Sequence, residues 1–333
     1  MTDNAIIVEG LAKRFGQVVA LDGIDFRVPA GSVFGLLGPN GAGKTTAIRI
    51  LTTIIRPDGG RAEVLGLDVV READEVRYRI GLAGQYAAID PNLTGRENLR
   101  LTGRLAQLPT ADARTRADEL LERFQLSDAG DRPARTYSGG MRRRLDVAAA
   151  LVQRPPVVFL DEPTTGLDIY SRNALWEMIR ELVAEGTTVL LTTQYLEEAD
   201  RLAHRIAVVD GGRVIANDTP AALKAQLGST VIELGMGDAD RAVRAGELLT
   251  QRLDAQPERD GATVRLTSDD GSRLLIDVLR LLDDQDLAPA TLAVRDPSMD
   301  DVFLALTGHR AEAETAANGA RRGRRGARAR GAA

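Results

Sequence analysis

The sequence predicts an α/β fold in which helices cover both faces of a largely parallel sheet. Five apolar runs have the length of strands, and segments with helical periodicity separate most of them. The runs are continuously apolar rather than alternating, which is typical of strands buried on both faces. A glycine-rich loop follows the first of these strands and opens a helix, an arrangement that belongs to the same class of fold.

The predicted elements fall into two domains and a tail. Expected strands are VFGLL (33–37), IGLAG (80–84), VVFLD (157–161), TTVLLTT (187–193) and RIAVVD (205–210). Expected helices lie at 44–54, 95–107, 111–124, 140–153, 171–185 and 195–203. We assign these elements to a domain spanning 1–226. Residues 227–308 read as a small α/β accessory domain, with strands TVIELGM and ATVRLTS and amphipathic helices at 240–253 and 272–284. Residues 309–333 are Arg-rich without periodicity, which predicts a disordered basic tail.

Composition limits the chemistry that this chain can perform. A length of 333 residues suits one large or two ordinary domains, and 44% of apolar residues is enough to form a hydrophobic core. The absence of cysteine excludes disulfides, thiolate metal sites and thiol catalysis. We find no signal-peptide pattern, and no apolar run approaches the ~18 residues of a membrane helix. We therefore expect any role at a membrane to act through a partner protein.

The stretch GPNGAGKTT (38–46) fits the phosphate-loop pattern G-x-x-x-x-G-K-[ST]. Its glycines allow backbone N–H groups to point at phosphate oxygens, and the following helix start adds positive potential. Lys44, one of only three lysines, would neutralise the β and γ phosphates, and Thr45 would hold Mg²⁺. The alternative is a chance glycine-rich turn, which the flanking strand and helix disfavour. The candidate nucleotide-binding residues here are Gly38, Pro39, Asn40, Gly41, Ala42, Gly43, Lys44, Thr45 and Thr46.

Two adjacent carboxylates end the strand of VVFLDEP (157–163). Asp161 lies at the carboxyl end of a buried strand, where ligands of open α/β sheets bind, and would organise Mg²⁺. Glu162 would polarise the attacking water as general base. A simple strand-end cap is the alternative, and the presence of the phosphate loop argues against it.

The stretch TYSGGMRRRLDVAAAL (136–151) resembles the LSGGQ signature of ABC ATPases. Ser138, Gly139 and Gly140 match the signature, whereas Tyr137 and Met141 depart from its commonest form. The resemblance covers roughly residues 5–226. It implies that the signature acts on a nucleotide held by another subunit, and hence a homodimer of ATP-binding domains with ATP between them.

Three more positions match the family pattern. By resemblance, Phe15 would stack on adenine, although it could instead be a core aromatic. Gln85 would contact Mg²⁺ and the attacking water while facing a transmembrane partner. Asp168 would cross the dimer interface, and it could also be the N-cap of the helix that follows.

Gln194 occupies the position where ABC ATPases generally carry a histidine that contacts the γ-phosphate. Glutamine keeps an N–H donor but cannot take a positive charge or transfer a proton. We therefore expect slow but real hydrolysis with Glu162 as the base. The stretches TTQYLEEADRLA (192–203) and PSMDDVFLALTG (297–308) resemble the daunorubicin/doxorubicin-resistance branch of ABC exporters. We therefore interpret Gln194 as characteristic of this branch and not as a sign that the site has lost its activity.

The resemblance implies the ATP-hydrolysing subunit of an exporter for a hydrophobic drug or secondary metabolite. Mg²⁺ and ATP would be its cofactors, and a separately encoded ABC-2-type membrane permease its partner, at the cytoplasmic face of the membrane. A soluble ABC protein acting on ribosomes or nucleic acid, a nucleotide-dependent binding switch with very slow turnover, and an importer ATPase are the alternatives. We expect no specific nucleic-acid partner, and the absence of an N-K-x-D motif argues against a GTPase.

Overall fold

The structure is a computed structural model that describes residues 4–84, 89–228, 230–253 and 255–306. It divides into two compact units, Met1–Thr219 and the part of the chain from Pro220 onward. In the described residues, no helix is both long and apolar enough to cross a membrane.

The first unit contains ten strands and seven α-helices among its described residues. The strands are β1 (Asn4–Phe15), β2 (Val18–Pro29), β3 (Val33–Leu37), β4 (Gly59–Val64), β5 (Leu67–Asp68), β6 (Ile80–Ala83), β7 (Val157–Asp161), β8 (Thr188–Thr193), β9 (Arg205–Asp210) and β10 (Arg213–Asp218). The helices are α1 (Lys44–Leu51), α2 (Ala73–Arg79), α3 (Gly95–Leu105), α4 (Thr110–Arg123), α5 (Gly139–Ala150), α6 (Ile169–Ala184) and α7 (Leu196–Leu202).

A six-stranded sheet with the order β10-β9-β3-β8-β7-β6 forms the centre of this unit. All neighbours from β9 to β6 are parallel, and only the edge strand β10 runs antiparallel. Every residue of β3, β7 and β8 is buried, as the continuous apolar runs predicted. The α/β prediction is confirmed. Because parallel strands end at the same edge, the loops after β3, β6, β7 and β8 meet there.

A second sheet, which the sequence analysis did not anticipate, has the order β2-β1-β4-β5 and is antiparallel throughout. Its strands β1 and β2 carry several register shifts, which break the alternation that would have identified them. The two sheets share one apolar core, in which the rings of Phe26 and Phe34 stack with centroids 5.2 Å apart.

Local capping explains where the helices begin. Thr94 and Glu97 form a reciprocal capping box at the start of α3. The helix α6 begins two residues before the predicted position, because the Asp168 carboxylate accepts a hydrogen bond from the Ser171 amide at 2.9 Å. Helix α1 ends at Leu51 rather than at residue 54, and Thr53 just beyond it has a left-handed φ of 63°.

The second unit contains α8 (Pro220–Ala225), β11 (Thr230–Gly235), α9 (Ala239–Leu253), β12 (Glu258–Asp260), β13 (Thr263–Ser268), α10 (Gly271–Asp283) and β14 (Thr291–Arg295). Its antiparallel sheet has the order β12-β13-β11-β14, and α9 and α10 share an apolar core with β11 and β13. The two predicted strands correspond to β11 and β13, whereas β12 and β14 were not predicted. The expected boundary after residue 226 lies just past α8, and the expected tail at 309–333 lies outside the described residues.

A cluster of ion pairs ties the end of this unit to its sheet. Arg295 donates to both carboxylate oxygens of Asp301, at 2.6 and 2.9 Å, and to Glu233 at 2.8 Å. The Ser298 amide and hydroxyl also donate to Asp301, each at 2.7 Å. The motif PSMDDVF thus anchors the helical residues 299–306 to β11 and β14.

Candidate functional site

The phosphate loop joins β3 to α1 at the carboxyl edge of the central sheet. A Cβ atom on Gly38 would lie 2.1 Å from the Val209 carbonyl oxygen. Gly43 has φ 111°, and a Cβ there would lie 2.4 Å from the Ala20 carbonyl oxygen. Both positions therefore require glycine, and the tight packing holds the loop in a cradle with its amide groups before the start of α1.

Lys44 lies inside this cradle with 4% of its side chain exposed. Its Nζ donates to the carbonyl oxygens of Gly38 and Pro39, at 2.6 and 3.0 Å, and lies 4.0 Å from Glu162 Oε1. Burial lowers the pKa of Lys44, and the carboxylates of Glu162 and Asp161 oppose that shift. A buried cation that donates to neutral carbonyl groups is suited to exchange them for charged phosphate oxygens, which form stronger hydrogen bonds with it.

The Asp161 carboxylate is the meeting point of three elements. Its Oδ1 accepts from the Thr45 hydroxyl at 3.2 Å and from the Thr192 hydroxyl at 2.5 Å. The pairing of β7 with β8 places Asp161 directly opposite Thr192. No group of three or more His, Cys, Asp or Glu side chains able to hold a metal occurs in the part of the chain that the structure describes. One carboxylate and one hydroxyl beside a phosphate cradle nevertheless fit Mg²⁺, which usually takes few protein ligands and completes its shell with phosphates and water.

Glu162 follows Asp161 in a strained backbone conformation. Its φ of 48° lies in the left-handed region, which costs a non-glycine residue about 1–3 kcal/mol. The Glu162 amide donates to the carbonyl and hydroxyl oxygens of Thr192, at 3.1 and 3.0 Å. The Thr165 hydroxyl donates to Glu162 Oε2 at 3.3 Å. These contacts hold the Glu162 carboxylate 4.0 Å from the Lys44 ammonium.

The signature residues begin helix α5. Ser138 is its N-cap, with the hydroxyl oxygen accepting from the Met141 amide at 3.2 Å, and Ser138 and Gly139 are exposed. A Cβ on Gly140 would lie 2.6 Å from the Ser171 hydroxyl, so the start of α5 packs closely against α6. Tyr137, one of the departures from the family signature, is buried and donates to the Ala129 carbonyl at 2.6 Å.

Asp168, Gln194 and Phe15 are the remaining candidates that the structure describes. The Asp168 carboxylate accepts hydrogen bonds from the Ser171 amide and hydroxyl, which lower its pKa. Asp168 is therefore an N-cap, as one of the two interpretations stated. Gln194 is half-buried just past the end of β8, and Phe15 ends β1 with 49% exposure. Gln85 lies outside the described residues.

Two residues of this site were missed by the sequence analysis. Thr192 was assigned only to a strand, because nothing in the sequence indicated that this strand pairs with VVFLD and places Thr192 opposite Asp161. Arg143 lies in α5 and reaches the loop after β7. Its contacts could not be foreseen, because one arginine among three in MRRRL gives no indication of its partners.

The phosphate cradle, the carboxylate pair and the serine-capped start of helix α5 define a nucleotide-hydrolysing site of the P-loop type. The chain belongs to the ABC transporter family, as an ATP-binding and ATP-hydrolysing subunit. The family model described as ABC transporter matches residues 21–165.

The chain is 55% identical over 314 residues to the daunorubicin resistance ATP-binding protein DrrA2 of Streptomyces coeruleorubidus, covering 94% of this chain and 98% of that protein. It is 52% identical over 314 residues to the daunorubicin/doxorubicin resistance ATP-binding protein DrrA of Streptomyces peucetius, covering 93% and 94%. A solved ATP-binding subunit of an ABC transporter is similar with a TM-score of 0.61 and 28% identity, over 67% of this chain and 92% of that one. The expected membership of the daunorubicin/doxorubicin-resistance branch is confirmed.

Proposed function

We propose that this chain powers the export of a hydrophobic drug or secondary metabolite through a separately encoded membrane permease of the ABC-2 type. It would act as a homodimer bound to the cytoplasmic face of the membrane. One observation carries this proposal: the similarity to DrrA2 spans 98% of that protein and so extends beyond the ATPase motifs through the second unit.

The site residues have separate tasks in this proposal. Lys44 would leave the carbonyl groups of the loop and bind the β and γ phosphates. Asp161 and Thr45 would hold Mg²⁺, which when bound neutralises charge on the phosphates. Glu162 would orient and deprotonate the attacking water, and the amide of Gln194 would donate to the γ-phosphate.

The exposed start of α5 supports a homodimer. Ser138 and Gly139 are exposed, and in this proposal the Ser138 O–H and the Gly139 N–H would donate to a nucleotide held by a second chain. Ile169 and Tyr170, which follow Asp168, are 65% and 84% exposed. Large apolar side chains next to the signature suit burial between subunits.

An open cavity of about 290 Å³ supports docking of the permease. It lies between β6, α3 and α5, next to the segment that leads to Gln85. Leu105 lines it and is 75% exposed, and Tyr78 nearby in sequence is 56% exposed. A short apolar segment of a permease would bury these side chains.

Affinity purification of the chain from detergent-solubilised native membranes, followed by mass spectrometry, tests the transporter role. We expect a multi-span membrane protein to co-purify. Recovery of ribosomal proteins or nucleic acid instead, with the chain absent from membranes, would remove the exporter proposal.

An ATPase assay tests the rival function of a binding switch. We expect measurable hydrolysis by the purified chain and none above background by Glu162→Gln. Equal rates for the two proteins would show that the chain turns ATP over without Glu162 or not at all.

A further inference from the structure

Arg143, in the second turn of α5, connects segments that lie far apart in the sequence. Its side chain is 12% exposed and donates four hydrogen bonds. Nη2 donates to the Asp161 carbonyl at 2.9 Å, and Nε donates to the Pro163 carbonyl at 2.9 Å. Nη1 donates to the Gly84 carbonyl at 2.6 Å and to Asp146 Oδ2 at 3.0 Å.

The first two contacts surround Glu162. The carbonyl groups of Asp161 and Pro163 belong to the residues on either side of it, and the Glu162 amide is bound by Thr192. Glu162 itself has the strained φ of 48°. With both neighbouring carbonyl groups and its own amide fixed, the backbone at Glu162 cannot relax to an ordinary conformation, and the direction of its side chain is set.

The other two contacts fix the arginine and reach a second segment. Asp146, one turn further along α5 and 3% exposed, orients the guanidinium. Gly84 is the last described residue before Gln85. Burial lowers the pKa of Arg143, and the carboxylates of Asp146 and Asp161 oppose that shift. The guanidinium donates to these three carbonyl groups from three different nitrogens of a planar fork, whereas the three donors of a lysine share one nitrogen and cannot reproduce that geometry.

We propose that Arg143 is a positioning residue for ATP hydrolysis, which holds the backbone on both sides of Glu162 and the Gly84 carbonyl just after β6 against the helix that begins at Ser138. The inference rests on the proposed role of Glu162 as the general base. It assigns to the signature helix a task within its own chain, in addition to any contact with a second chain.

The test compares Arg143→Gln and Arg143→Lys with Arg144→Gln. Arg144 is the matched control, because it lies on the same helix and donates to the Phe124 carbonyl at 3.1 Å rather than to the site. Steady-state ATPase gives kcat and KM, and titration with a fluorescent ATP analogue gives the Kd. Thermal unfolding reports whether each variant is folded.

We expect Arg143→Gln to lower kcat by roughly 10²-fold, because a small displacement of a catalytic group has an effect of this size. The Kd for the analogue should stay near that of the unchanged protein. Arg143→Lys should keep the charge and the fold and still lose most of the kcat, and Arg144→Gln should keep its kcat.

An unchanged kcat in Arg143→Lys, or a loss of kcat matched by an equal loss of analogue binding, would overturn the inference. If Arg143→Gln does not fold, Arg143→Lys decides. A Glu162→Gln variant separates the two levels of the argument. If Glu162→Gln still hydrolyses ATP, Glu162 is not the general base. If Glu162→Gln loses hydrolysis while Arg143→Lys keeps its kcat, only the positioning role of Arg143 is removed.

Discussion

Replacing Thr192 by valine tests whether the Thr192 hydroxyl, in β8, organises the proposed Mg²⁺ site. Thr192 is fully buried, and valine keeps its shape and β-branching. The change removes the 2.5 Å hydrogen bond to Asp161 and the 3.0 Å bond from the Glu162 amide. The amide keeps a partner, because it also donates to the Thr192 carbonyl at 3.1 Å.

The main loss is therefore one buried hydrogen bond to a charged group, worth about 2 kcal/mol. In a unit of this size such a loss lowers the Tm by roughly 4–8 °C. Removing a group that orients a metal-binding carboxylate typically weakens metal binding by about tenfold or more. We expect the Mg²⁺ concentration for half-maximal ATPase to rise by that factor.

Thermal unfolding and Mg²⁺-dependent ATPase measure the two effects. The transition that shifts on addition of Mg²⁺ and ATP marks the first unit. Thr188→Val is the control, since Thr188 is buried at the opposite end of the same strand and accepts from the Gly31 amide at 2.9 Å. It should lower the Tm without changing the Mg²⁺ requirement. The same Mg²⁺ requirement in both variants would refute the role assigned to Thr192.

Three further predictions follow from other parts of the molecule. Gln194→Ala should lower kcat by about 10²-fold because it removes the proposed phosphate donor, and an unchanged rate in the ATPase assay would exclude that role. Gly43→Ala should abolish binding of a fluorescent ATP analogue, because the new Cβ would lie 2.4 Å from the Ala20 carbonyl oxygen. Gly41→Ala should weaken binding less, because Gly41 has φ 82° but no atom within 4 Å of the position of a Cβ. Asp301→Asn should destabilise the second unit at pH 7 by about 2 kcal/mol. Burial raises the pKa of Asp301, but hydrogen bonds from Arg295 and Ser298 outweigh the effect of burial and hold that pKa at about 2, against an ordinary 3.8. That stability is present above pH 3.8 and is lost as the pH falls through 2. The protection of β11 amides from hydrogen exchange should therefore differ between the unchanged protein and Asp301→Asn at pH 7 and converge at pH 2. A difference that stays constant with pH would contradict the role assigned to the Asp301 carboxylate.

The parts of the site that the sequence predicted are those encoded by adjacent residues. The run from VFGLL through GPNGAGKTT specifies strand, cradle and helix within one short segment, because the glycines and the helix start act locally. Asp161 and Glu162 were predicted for the same reason, since a buried apolar run places the next carboxylates at the end of a strand. An N-cap was one of the two interpretations of Asp168, because a helical pattern follows it in the sequence.

The antiparallel sheet shows where such local patterns fail. Residues of β1 alternate imperfectly between buried and exposed because bulges shift its register with β2 and β4. The charged residues in LAKRF weaken its apolar signal further. Which strand each segment pairs with depends on residues far away in the chain, and the sequence of one strand does not carry that information.

The sequence alone determined the family, the phosphate loop and the order of the functional residues, because each of these is written in contiguous or regularly spaced side chains. Only the tertiary structure decided which groups hold them in place. Inserting β8 between β3 and β7 makes Thr192 the neighbour of Asp161. Packing α5 against the ends of β6 and β7 turns Arg143 toward Glu162. Hydrogen bonds between residues tens of positions apart are set by the order of strands and the burial of helices, which arise from the whole fold and not from any local pattern.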